Sequence, residues 1–99
     1  MLKNLPRIRL LKTAGGEEFI TKIVEETETT LTVEQPLQLM RTQEGMQFVP
    51  FVLIAEQDKP MVLNKGLILV EAHALEQVKT KYESAISGIV LPQTGKLIT

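Results

Sequence analysis

Ninety-nine residues suffice for one domain, because a chain of this length buries only about two thirds of its unfolded surface. A formal net charge of −1 gives no bulk attraction for a polyanion, so any nucleic-acid contact has to be local. The lack of cysteine excludes disulfides, thiolate chemistry, iron–sulfur clusters and the common zinc sites. The longest apolar stretch, 48–55, is far shorter than the roughly 20 residues of a spanning helix. The first residues carry no secretory h-region, so a cytoplasmic protein that does not engage membranes is expected.

In chain order, Ile8 to Thr13 and Phe19 to Val24 are β-rich runs on either side of Gly15-Gly16, a pair suited to a tight turn, and they predict a hairpin. Charge is uneven here. Lys3, Arg7, Arg9 and Lys12 precede the first acid, and Glu17, Glu18, Glu25, Glu26, Glu28 and Glu34 follow with only Lys22 among them. Opposite signs on neighbouring strands favour a cross-strand salt network over a polyanion site. Next, Leu31, Val33, Leu37 and Leu39 share one parity while Thr30, Thr32, Glu34 and Gln38 hold the other, which predicts a strand with one wet face. Pro36 cannot donate to a ladder, so the strand is expected to bend, bulge or change partner there. A second turn is expected over Thr42-Gln43-Glu44-Gly45.

The run 48–55 is apolar on both parities, as is Leu67-Ile68-Leu69-Val70, so both faces of these segments want cover. Pro50 points to a sheet edge. A neighbouring subunit added through an exposed edge strand supplies that cover, or the terminal helix and tail do so within one chain. Helical spacing of Leu75, Val78, Tyr82, Ala85 and Ile86 predicts a helix over about 74–87, with Gly88 placed to follow its cap. The opposite face carries Glu76, Lys79, Lys81 and Glu83, with Lys79 and Glu83 at i,i+4 spacing. The remaining tail, 88–99, is apolar enough to clasp the body or a neighbour.

No catalytic constellation emerges. The only histidine, His73, and the only aspartate, Asp58, would have to combine with one of two serines, Ser84 or Ser87, to form a hydrolytic triad. His73 has no second His or Cys with which to hold a metal, and Glu25 and Glu26 point to opposite faces if they lie on one strand. Neither enzymatic activity nor a cofactor is expected.

Two motifs carry a family resemblance. The segment Leu10-Leu11-Lys12-Thr13-Ala14-Gly15-Gly16-Glu17-Glu18-Phe19-Ile20 resembles the opening of the first Sm motif. The segment Val62-Leu63-Asn64-Lys65-Gly66-Leu67-Ile68-Leu69-Val70 is similar to the second. Over about residues 8–72 the chain resembles the Sm and Sm-like ring proteins, most of all those attributed to cyanophages. The sequence departs from that pattern at Thr21, where the family usually has a glycine, and at Lys65, where it has an arginine. Glu26 and Thr30 stand nearest to the family's loop aspartate and asparagine. The long helix follows the strands instead of preceding them.

The resemblance implies a mainly β fold: a small five-stranded, strongly bent antiparallel sheet or partly open barrel, here with a C-terminal helix, forming one domain over 1–99. It further implies a homo-oligomeric ring closed by edge-strand pairing, which binds single-stranded RNA, or DNA, in nucleic-acid processing or chaperoning. The implied contacts are Glu26, Thr27, Thr29, Thr30, Asn64, Lys65 and Gly66, with Lys65 on phosphate and Asn64 and Thr30 on bases or sugars. The alternative is an oligomeric structural or protein-interaction module of the same fold that binds no nucleic acid. Taken without the family, Asn64-Lys65-Gly66 reads simply as a turn.

Overall fold

Alternation of apolar and polar side chains from Arg7 onward builds strands, and glycines with positive φ turn them. The structure, a computed structural model, describes residues 4–90, so the tail from residue 91 lies outside the described residues. Strand β1 (Arg7–Thr13) pairs antiparallel with β2 (Glu18–Glu26) across the expected hairpin, where Gly16 takes a φ of 95°. Strand β3 (Thr30–Thr42) returns along β2 and turns at Gly45 (φ 113°) into β4 (Gly45–Pro50). After a loop over 51–60 come β5 (Met61–Asn64), a 3₁₀ turn (Lys65–Leu67), β6 (Ile68–Ala72) and helix α1 (Glu76–Val90).

The fold is mainly β, an antiparallel sheet with a C-terminal helix, as expected, but the sheet has six strands rather than five. β5 pairs with the first part of β3 and β6 pairs with β1, so β5 and β6 form the two ends of the path β5-β3-β2-β1-β6. Only the three residues of the 3₁₀ turn join these ends, and a link that short forces the sheet to curl into a partly open barrel.

The extra strand arises at the prolines. Pro36 marks the point where β3 changes partner, because Thr30 to Val33 face β5 whereas Leu37 to Thr42 face β4. On the β2 side the register shifts between Ile20 and Lys22, opposite Gln35 and Pro36, and Gln35 has a φ of 51°. This bulge reverses the face of the strand. Leu31 and Val33 enter the interior of the curl with Leu11, Phe19 and Ile23, but Leu37 joins Ile20 and Tyr82 under the helix. The single wet face expected for 31–39 is therefore corrected: parity is preserved only as far as the bulge. The bulge carbonyls are satisfied locally, since Thr21 Oγ1 donates to the Glu34 carbonyl (2.8 Å) and Tyr82 Oη donates to the Gln35 carbonyl (2.9 Å).

The apolar run 48–55 is not one strand. It leaves the sheet after Pro50, where the Phe51 amide donates to the Pro36 carbonyl (2.9 Å) and the Phe51 ring stacks on Phe19 at 4.1 Å. Val52, Leu53 and Ile54 then lie exposed in the loop. The helix packs Val78, Tyr82, Ala85 and Ile86 on the outer side of the sheet, with the Phe48 ring edge-on to Tyr82. Two details of the expected helix differ. Leu75 is exposed just ahead of the first turn instead of joining the packed stripe, and Gly88 lies within the helix rather than after it. The anticipated Lys79–Glu83 pair is not formed among the described residues. No helix of the described residues is long and apolar enough to cross a membrane.

Candidate nucleic-acid interface

The residues singled out in two distant segments meet at one end of the barrel. Thr30 lies directly across from Asn64 in the β3–β5 pairing, which brings the β2–β3 turn against the 3₁₀ turn. The Lys65 amide donates to the Thr29 carbonyl (2.8 Å), and Lys65 Nζ donates to the Thr27 carbonyl (3.0 Å). All seven expected positions, Glu26, Thr27, Thr29, Thr30, Asn64, Lys65 and Gly66, belong to this junction.

Local chemistry explains the two turns. Thr27 Oγ1 accepts from the amides of Thr29 (3.2 Å) and Thr30 (2.9 Å), and the Thr27 amide donates to the Thr30 carbonyl (2.9 Å). A threonine hydroxyl thereby does for this tight turn what an Asx side chain does elsewhere. The Thr27 and Thr30 hydroxyls also share a hydrogen bond of 2.7 Å. On the other side, Asn64 Oδ1 accepts from the Gly66 amide (2.8 Å) and caps the 3₁₀ turn. The bare turn reading of Asn64-Lys65-Gly66 thus describes its geometry, while the pairing with Thr29 and Thr30 gives that turn a fixed neighbour.

Behind the junction lies an ionic cluster. Glu26 Oε2 meets Lys65 Nζ at 2.7 Å and Glu26 Oε1 meets Arg7 Nη2 at 3.0 Å. Arg7 then holds Glu71 through Nε (2.7 Å) and Nη2 (3.2 Å), and Arg9 Nε lies 3.3 Å from the same carboxylate. The hydrogen bonds to Glu71 hold the Arg7 guanidinium above its ordinary pKa, against the opposing effect of burial. The predicted salt network exists, therefore, but only in part across β1 and β2. Lys12 and Glu18 form such a cross-strand pair at 3.7 Å, whereas Arg7 and Arg9 also recruit Glu71 from β6. Sequence reasoning did not single out Arg7, Arg9 and Glu71 for this site. Parity does place Arg7 and Arg9 on the face of β1 that carries Leu11, but nothing local points to a partner 64 residues away.

Beside the 3₁₀ turn is an open depression of about 240 Å³ walled by Ala14, Phe19, Phe51, Leu63, Leu67 and Ile68. Its exposed lining is almost wholly apolar, with Thr13, Glu17 and Asn64 also at its border. His73 stands exposed between β6 and α1, Asp58 lies in the loop over 51–60, and Ser84 and Ser87 are on the helix. Among the described residues no three His, Cys, Asp or Glu side chains are grouped to hold a metal ion.

Compared with known proteins, the chain matches no protein-family model and no curated protein.

Proposed function

We propose that the protein is a non-enzymatic, Sm-like homo-oligomeric ring that binds single-stranded RNA, or DNA, at the junction of the β2–β3 turn with the 3₁₀ turn. The observation that carries this reading is the meeting of two segments more than 30 residues apart at one rigid point, with Lys65 bonded to both Thr27 and Thr29. The junction brings together one ammonium, two hydroxyls and one carboxamide, with Thr27 and Asn64 exposed and Thr30 and Lys65 partly so, a set suited to a phosphate and the polar edge of a base. One such patch per subunit binds weakly, and a ring repeats it along one strand.

Assembly draws support from the sheet edges. β5 pairs only with β3 and β6 only with β1, so each leaves one backbone edge unpaired among the described residues. Those strands carry outward apolar side chains, with Val62 68% and Leu69 67% exposed. Pairing β5 of one copy with β6 of the next would satisfy both edges and cover both side chains.

The rival reading, an oligomeric structural or protein-interaction module, has its own support. Lys65 Nζ is already held by Glu26 and the Thr27 carbonyl, and Asn64 Oδ1 is committed to its own turn. Titration of the purified protein with labelled uridine-rich and adenine-rich oligonucleotides, at low and moderate salt, separates the two. Saturable binding that weakens with salt supports the first, and no binding in either salt leaves the second. Light scattering supplies the mass, and a monomer removes the oligomer that both readings assume.

A further inference from the structure

Lys65 is the cation on which the proposed phosphate contact depends, and the Glu26 carboxylate already sits on it. Glu26 is bidentate between two cations, one oxygen on Arg7 (3.0 Å) and the other on Lys65 (2.7 Å), the way a bound phosphodiester would use two of its oxygens. The two cations are not equally dependent on it. Arg7 has a second carboxylate in Glu71, bound through two hydrogen bonds, whereas among the described residues Lys65 has only the Thr27 carbonyl besides Glu26. Withdrawal of Glu26 would leave the arginine paired and the ammonium, among the described residues, with the Thr27 carbonyl alone. Among the described residues the cluster of Arg7, Arg9, Lys65, Glu26 and Glu71 holds three cations against two anions.

We propose that Glu26 is the affinity-setting residue of this site: a resident counter-anion with which each incoming phosphate must compete for Lys65. The inference rests on the nucleic-acid reading above. Glu26 keeps the ammonium in place while holding its attraction for anions low, and a strand that touches several subunits is bound only where several such exchanges occur together.

The test is a set of anisotropy titrations of labelled oligouridine with wild type, Glu26→Gln, Glu26→Asp, Lys65→Ala and the Glu26→Gln/Lys65→Ala double variant, across a series of salt concentrations. Light scattering confirms equal mass. Glu26→Gln is expected to tighten binding about fivefold, the upper range for one partly exposed ion pair. It should also steepen the salt dependence by about 0.7 in log–log slope, the value of one further phosphate contact on a single strand. The double variant should fall back to the affinity of Lys65→Ala. Glu26→Asp keeps the charge but draws it back by one methylene, so it should lie between wild type and Glu26→Gln, and it serves if the glutamine variant fails to assemble. Unchanged or weaker binding by Glu26→Gln or Glu26→Asp at equal mass would show that the carboxylate only positions Lys65, and this inference falls while the nucleic-acid reading stands. Absence of binding by wild type and every variant removes both.

Discussion

The interior faces of β2 and β3 and the outer edges of β5 and β6 draw on the same residue types, chiefly isoleucine, leucine and valine, yet they meet opposite surroundings. Ile23 and Val33 are fully buried in the curl, whereas Val62 and Leu69 are about two thirds exposed. What separates them is position in the strand order: β2 and β3 have neighbours on both sides, and β5 and β6 end the path. Apolar content tells how well a strand would pack. Only topology tells whether there is anything to pack against, and among the described residues the two ends have no such neighbour on their outer side.

The first way to sharpen this contrast is to empty the interior. Phe19→Ala removes a ring that is 1% exposed and stacked on Phe51, and should cost about 3–5 kcal/mol in denaturant unfolding. A loss of under 1 kcal/mol would mean that the curl is not the main core. A smaller effect is expected at the bulge, where Tyr82→Phe leaves the packing and removes only the hydroxyl that donates to the Gln35 carbonyl, at about 1–2 kcal/mol.

The same hydroxyl makes stability depend on alkaline pH. Burial pushes the Tyr82 phenol well above its ordinary pKa, so the folded state keeps the proton that the unfolded chain gives up. Its contribution is full below about pH 10, where a free tyrosine begins to ionise, and is lost as pH rises above that value toward the folded pKa. Urea midpoints measured between pH 8 and 11 should therefore fall more steeply for wild type than for Tyr82→Phe, and parallel curves would remove the effect. Smallest in stability is the edge. Val62→Lys should change the unfolding free energy by less than about 0.5 kcal/mol, because the side chain is already solvated in one copy. It should nevertheless lower the mass seen by light scattering. An unchanged oligomer would break the comparison by showing that β5 is not a docking edge.

Much of this fold was legible in the sequence because its signals are local. The glycine pair, the alternation of Leu31 and Val33, the warning at Pro36 and the 3–4 spacing of Val78, Tyr82, Ala85 and Ile86 each state a conformation within a few residues. Legibility failed where a choice depended on distant partners. Residues 48–55 read as one strand apolar on both faces, but the run leaves the sheet where the Pro36 carbonyl takes the Phe51 amide, a partner no local pattern announces. Leu37 has the parity of Val33, but a bulge set by β2 turns it to the helix. At the site, the two motifs named two loops that the β3–β5 pairing brings together. The partnership of Arg7 with Glu71 was invisible because no spacing rule joins residues 64 apart.

The division of β3 between two partners also makes the segment between them replaceable. Each half of the strand holds its own ladder, and Gln57 braces the loop by donating to the carbonyls of Val52 and Ala55, so the tip around Leu53 and Ile54 bears on neither ladder. A peptide grafted there would stand clear of both ladders, making this exposed corner a natural mounting point for reporters or affinity handles.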